Sequence, residues 1–308
     1  MSKTAFIFPG QGSQYPGMGK DLADTFPVAR QIFEEADESL GLKLSAICFS
    51  GSENELKLTA NTQPAILTAS IAVLRVIEQE TGLKADYLAG HSLGEYSALV
   101  CSGTLTFADA VRTVRARGTF MQEAVPVGTG TMAAMLSIEK EELENICREA
   151  AQGEVVSAAN FNSPGQIVIA GNVGAVNRAI EIAKGRGFRK SMLLPVSAPF
   201  HCALMKPAAD RLSVVLEALQ LADMRLPVVA NATATANVDK DQVKPLLVTQ
   251  VCAPVLWEHS VLEMTALGVS RFVEIGPGKV LSGLVKRITK EVETVNIGDL
   301  EGLKAQQG

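Results

Sequence analysis

No run of apolar residues in this chain is long enough to cross a bilayer. The most hydrophobic stretch, Ala65 to Ile77, is short and carries Thr68, Ser70 and Arg75, whereas a spanning helix needs about 20 apolar residues. Ala5 to Phe8, close to the N-terminus, is too brief for the core of a signal peptide. An excess of basic charge is also missing. The 28 Lys and Arg stand against 33 Asp and Glu, a net charge of -5, and general nucleic-acid binding demands a basic surface. The five cysteines (Cys48, Cys101, Cys147, Cys202, Cys252) are odd in number, widely spaced and without a C-x-x-C pair. That pattern argues against a disulfide framework or a cysteine zinc site and for reduced thiols. The three histidines, His91, His201 and His259, are scattered, so no metal-ligand cluster is expected. The expected address is the cytoplasm, with no membrane or nucleic-acid partner.

What is present is core material. Apolar residues make up 47% of 308 positions and charge is spread without long blocks, so the chain can fill one large domain or two ordinary ones. Ala5-Phe6-Ile7-Phe8 reads as a buried strand stopped by the turn Pro9-Gly10-Gln11-Gly12. A helix is expected to open at Pro64, since proline suits a first turn. Tyr87-Leu88-Ala89 is a second strand running into Gly90. Strands alternating with longer helices predict a parallel sheet covered on both faces. Residues 127–196 read differently. Strands at Thr131–Ile138, Val155–Phe161, Gln166–Ala170 and Ser191–Leu194 surround helices at Glu139–Ala151 and Ala175–Lys184, with a turn at Asn162-Ser163-Pro164-Gly165. That β-α-β-β-α-β order is the ferredoxin-like pattern. The expected fold is α/β: a larger, hydrolase-like parallel-sheet domain from 1–126 and 197–308, with a small ferredoxin-like domain inserted at 127–196.

Two glycine-rich segments are not nucleotide sites. Tyr15 occupies the third glycine's place after Gly10-Gln11-Gly12, and Val280 follows Gly276-Pro277-Gly278-Lys279 where a phosphate loop needs serine or threonine. Gly90-His91-Ser92-Leu93-Gly94 does match G-x-S-x-G. The pattern marks a sharp strand-to-helix turn that presents a serine on strained backbone, with small residues two positions either side to avoid a clash. A strand precedes it here and a helix follows, which makes Ser92 the candidate nucleophile rather than an incidental serine in a glycine-rich connection.

Ser92 needs a base. His91 adjoins it, and neighbouring side chains in extended backbone point apart. His259 lies in an expected helix beside Trp257 and Glu258, where packing accounts for it. His201 lies in a loop after the small domain, a usual place for a catalytic group. No carboxylate offers itself as a third member. Asp109 belongs to a capping box with Thr106, and Glu95 lies on the helix beyond the nucleophile. The residues thus point to a dyad whose histidine is oriented by something other than an acid.

The helix from Phe107 to about Glu123 buries Phe107, Ala110, Val111, Val114, Gly118 and Met121 on one stripe. At ~100° per residue Arg117 falls roughly 60° from its centre, against roughly 100° for Arg115 and 160° for Arg112. An inward arginine either reaches out to a structural partner or is a fork awaiting a substrate carboxylate. The helix alone leaves both open.

Gly10-Gln11-Gly12-Ser13-Gln14, Gln63-Pro64, Gly90 to Tyr96, Arg117-Gly118, Asn160 to Gln166, His201, Gln250 and Glu274 to Gly278 together resemble the malonyl-CoA:acyl carrier protein transacylases, bacterial fatty-acid-synthesis enzymes related to polyketide synthase acyltransferase domains. The resemblance runs in order to about Lys286. It implies a ping-pong transfer in which Ser92 takes malonyl from coenzyme A, with His201 as general base and acid. It implies an oxyanion hole from the N–H groups of Gln11 and Leu93, and a Gln250 backbone carbonyl orienting His201. Arg117 is implied to clamp the malonyl carboxylate, with Gln63 and Asn162 lining the site. Phe200 resembles the Ala-Phe-His signature of malonyl-selecting polyketide acyltransferases, and its ring is expected to exclude an α-methyl branch. No bound cofactor is implied beyond the coenzyme A of the substrate thioester; the partners are malonyl-CoA and an acidic acyl carrier protein. Lys286 and Arg287, with Lys290 nearby, are either its docking patch or a solvated helix end. Two other classes share part of this pattern. A plain esterase has little use for an inward Arg117, and a non-catalytic docking module needs neither Ser92 nor His201.

Overall fold

The computed structural model describes residues 2–196 and 198–306. Among the described residues ten strands follow one another as β1 (Lys3–Phe8), β2 (Tyr87–Gly90), β3 (Gly130–Leu136), β4 (Val156–Ser163), β5 (Gln166–Asn172), β6 (Ser191–Leu193), β7 (Val228–Val229), β8 (Ala236–Asn237), β9 (Val269–Ile275) and β10 (Glu293–Ile297). They form two sheets. The larger has the order β10-β9-β1-β2-β7-β8 and is parallel except at its β7–β8 edge. Its central strand β1 carries Ala5, Ile7 and Phe8 fully buried, because a parallel sheet covered by helices hides both faces. The smaller is antiparallel in the order β4-β5-β3-β6, with helices Lys140–Ala151 and Val173–Gly185 interleaved in the expected β-α-β-β-α-β sequence. All four of its strands fall within 127–196. The junction residue Ser197 lies outside the described residues. No helix among the described residues is long and apolar enough to cross a membrane.

Two local expectations are corrected. The helix expected to open at Pro64 runs from Thr59 to Glu80 with Pro64 inside it. It survives because the carbonyl that Pro64 cannot satisfy, that of Ala60, accepts instead from Arg115 Nη1 at 2.7 Å, which replaces the lost i→i−4 bond. In the small domain β4 continues through Asn162 and Ser163, leaving only Pro164-Gly165 as the turn; Gly165, at φ 68°, takes the left-handed conformation.

The sheets are joined by more than chain continuity. The amide of Phe161 donates to the Val255 carbonyl at 2.9 Å, and that of Val255 donates to Ala159 at 2.9 Å, so β4 extends into the larger domain beside residue 255. The second face of the small sheet, at Met132, Ala134, Val168 and Ala170, packs into the main core, while its first face packs on its own helices. The space left between the sheets holds the candidate site.

Candidate active site

Ser92 sits at φ 53°, strained backbone for a non-glycine residue, between β2 and the helix Gly94–Cys101. The two glycines of the motif leave no space for a side chain. A Cβ on Gly90 would lie 2.0 Å from the Gly94 carbonyl group, and one on Gly94 would lie 2.2 Å from the Phe8 carbonyl oxygen. Asn231, fully buried, grips both arms of the turn. Its Oδ1 accepts from the Ser92 amide at 2.6 Å and its Nδ2 donates to the Gly90 carbonyl at 2.6 Å. Nothing in the local sequence announced Asn231, because it arrives from the loop after β7.

His201 Nε2 lies 2.8 Å from Ser92 Oγ, and its Nδ1 lies 2.8 Å from the backbone carbonyl of Gln250. A carbonyl only accepts, so Nδ1 carries the proton and the bare Nε2 is left to accept from the serine hydroxyl. Burial, reinforced by the positive charge of Arg117, depresses the His201 pKa to about 3, which keeps the ring neutral. His259 is exposed on the helix Trp257–Ala266, edge-on to Phe161. His91 Nε2 is 2.9 Å from Asn162 Oδ1, turned away from the hydroxyl as expected. The carboxyl of Asp109 takes the Thr106 hydroxyl and pairs with Arg112, so it belongs to the helix cap.

Arg117 is 1% exposed. Its helix, Phe107–Glu123, approaches the helix Thr59–Glu80 closely at Gly118, where a Cβ would meet the Thr59 carbonyl oxygen at 2.6 Å. That proximity lets Arg117 Nη1 donate to Gln63 Oε1 at 2.8 Å; Nη2 donates to Gln250 Oε1 at 2.9 Å and to Ser92 Oγ at 3.1 Å. All three partners are neutral, and Nε has no partner among the described residues. A buried cation whose hydrogen bonds all go to neutral groups favours an incoming anion.

These groups surround a cavity of about 110 Å³ whose lining includes Gln11, Gln63, Ser92, Leu93, Arg117, Phe200 and His201. The backbone amides of Gln11 and Leu93 donate to no acceptor among the described residues. Phe200, 7% exposed, forms part of the wall. The asparagine on the wall is Asn160 rather than Asn162, whose carboxamide is committed to His91. Among the described residues no three His, Cys, Asp or Glu side chains gather to hold a metal ion. Glu95, set aside in the sequence because it lies on the helix beyond Ser92, is buried beneath the site. It accepts from the Asn231 amide at 2.9 Å and from Gln250 Nε2 at 2.8 Å.

A serine on a strand-to-helix elbow, a histidine on a backbone carbonyl and a buried arginine meet in one cleft, and the class of protein is that of the acyltransferases. Residues 5–306 match the family model described as the acyl transferase domain. The chain is 50% identical over 305 residues to the malonyl CoA-acyl carrier protein transacylase of Bacillus subtilis, covering 99% of this chain and 96% of the relative. It is 51% identical over 288 residues to that of Escherichia coli strain K12, covering 94% and 93%. A solved acyl carrier protein S-malonyltransferase from Vibrio cholerae superposes with a TM-score of 0.96 at 49% identity over 99% of both chains. A malonyl-transacylase solved in complex with a type II polyketide acyl-carrier protein does so with a TM-score of 0.96 at 47% identity, also over 99% of both. The chain belongs to the malonyl CoA-acyl carrier protein transacylase family.

Proposed function

We propose that this enzyme moves a malonyl group from malonyl-CoA to the phosphopantetheine thiol of an acyl carrier protein through an ester on Ser92. The observation that carries the reading is Arg117: a buried cation with neutral partners, 3.1 Å from the nucleophilic oxygen. A malonyl ester on Ser92 brings a carboxylate into that neighbourhood, and the guanidinium fork suits it.

The steps follow from the geometry. His201 Nε2 takes the Ser92 proton as Oγ attacks the thioester carbonyl, and the amides of Gln11 and Leu93 receive the oxyanion. Such donors contribute about 3 kcal/mol each where one has been removed. The C–S bond breaks and His201 returns the proton to the coenzyme A sulfur. His201 then takes the proton of the carrier thiol, whose sulfur attacks the ester, and returns it to Ser92 Oγ. This is ping-pong catalysis through a covalent intermediate, and it needs no cofactor beyond the substrate's own coenzyme A. Gln63 holds Arg117 and Phe200 narrows the cavity against an α-methyl branch. The thiols do not compete as nucleophiles, since burial pushes that of Cys202, next to His201, up to about 11. All five cysteines stand free, which supports the reducing cytoplasm as the setting.

Intact-protein mass spectrometry after brief mixing with malonyl-CoA tests the reading. The expected result is a malonyl adduct on the wild type, none on Ser92→Ala, and acylation slowed on the order of 100- to 1,000-fold in Arg117→Ala, about 3–4 kcal/mol for leaving a buried charge unpaired. Absence of any adduct together with turnover of neutral esters makes the protein an esterase instead.

A further inference from the structure

Gln250 enters the site twice, and only its backbone has been given a role. Its carboxamide is fully buried and touches three groups. Nε2 donates to the Ser92 carbonyl at 3.0 Å and to Glu95 Oε2 at 2.8 Å, while Oε1 accepts from Arg117 Nη2 at 2.9 Å. A carboxamide has two orientations, and the partners decide between them. Here the Ser92 carbonyl and the Glu95 carboxyl oxygen accept, and the arginine only donates, so a single orientation satisfies all three. Turned over, the amide would set its N–H groups against those of Arg117 and its oxygen against two acceptors. The Ser92 carbonyl engages one Nε2 hydrogen and already accepts from the Glu95 amide in the first helical turn at 3.1 Å. The second hydrogen belongs to Glu95.

Glu95 is itself held. It is 3% exposed, and its Oε2 also accepts from the Asn231 amide, the residue that grips the elbow. It does not pair with Arg117 directly; its influence on the guanidinium passes through Gln250 and through its field. Burial pushes its carboxyl up to about 7, eased by the Asn231 and Gln250 donors and by Arg117. A neutral carboxylic acid keeps an acceptor oxygen, so the contact with Gln250 outlasts protonation.

We propose that Glu95 is a positioning residue for recognition of the charged acyl group: by accepting from the Gln250 carboxamide it turns Oε1 toward Arg117 and so holds the guanidinium at Ser92. The inference rests on the reading of Arg117 as the carboxylate clamp. It assigns Glu95 the work of an acceptor rather than a charge, so Glu95→Gln should keep the function and Glu95→Met, of similar volume, should lose it.

The test compares two acylations of Ser92, by malonyl-CoA and by p-nitrophenyl acetate, an activated ester with no carboxylate. The ratio of their rates reads the clamp alone. Glu95→Met and Gln250→Met, the latter sparing the backbone carbonyl on His201, should each lower that ratio by tenfold or more. Their combination should lower it no further than one alone, because both break the same link. Glu95→Gln should stay within about threefold of the wild type, as expected of an isosteric change that retains the hydrogen bond. Loss of both reactions in step, or effects of the two methionine variants that multiply, overturns the proposal in favour of a general packing role. Should Glu95→Met fail to fold, a wild-type ratio in Gln250→Met overturns it equally. Arg117→Ala is the control for the underlying reading: if its ratio equals that of the wild type, the clamp itself is wrong, an outcome distinct from failure of the Glu95 link.

Discussion

At the scale of single residues, burial first and one charge second act on one ring. The proposed role of His201 as base requires the neutral ring, and ordinary histidine titrates near 6.5. Burial and then Arg117 lower its pKa to about 3, so the neutral form persists as pH falls through the usual range. Acylation by p-nitrophenyl acetate should therefore be level through pH 6.5 and still near its plateau at about pH 5. In Arg117→Met the cation is gone and the acid limb should move upward, toward 6.5. A limb that stays in place in that variant rejects the arginine as a cause. The same shift carries a stability cost. Below 6.5 the unfolded chain binds a proton at this position that the folded one refuses, so this contribution to stability is complete above 6.5 and is lost as pH falls toward 3. His201→Gln should flatten that part of the stability curve, readable as Tm against pH.

At the scale of elements, two helices set where the arginine stands. Phe107–Glu123 lies against Thr59–Glu80 because Gly118 allows close approach to the Thr59 carbonyl, and the contact is reinforced where Pro64 frees the carbonyl of Ala60. Arg115 caps that carbonyl and also donates to Asn61 Oδ1. One turn of helix thus presents Arg115 to a structural carbonyl and Arg117 to the cavity, two arginines with separable duties. Arg115→Met should leave a part-buried carbonyl unpaired, at a cost of about 1–3 kcal/mol. It should lower Tm by a few degrees while the folded protein keeps its preference for malonyl-CoA over a neutral ester. A loss of that preference equal to that of Arg117→Ala would show that the duties are not separable.

At the scale of the whole molecule, what could be read in advance divides by distance along the chain. The turn at Ser92 and the ferredoxin-like insertion are built from near neighbours, so their glycines and alternating strands were legible. So was the inward face of Arg117, since helical period is local. The extent of the Pro64 helix was not, because the group that repairs it comes from 55 residues away. Asn231 and Glu95 were hidden for the same reason, being brought together across 136 residues; the edge strands β7 and β8, of two residues each, are too short to carry a pattern.

Charge at this scale sets up the last expectation. If the carrier is acidic, as the family resemblance implies, a chain of net charge -5 repels it overall and productive docking requires a local basic surface, with long-range repulsion screened by salt beyond about 10 Å. Lys286 and Arg287 close the helix Val280–Ile288, where they also complement its dipole. Arg287 is engaged, donating to Gln166 at 2.6 Å across to the small domain, which leaves the exposed Lys286 as the cleaner probe. If it meets the carrier, Lys286→Glu should raise the KM for carrier protein about tenfold, the effect of reversing one charge at an interface rim, and leave acylation by malonyl-CoA alone unchanged. If it serves only the helix end, the substitution should cost a few tenths of a kcal/mol in stability and leave the carrier KM where it was. Under the proposed ping-pong scheme the two half-reactions can be measured apart, so the outcomes do not overlap.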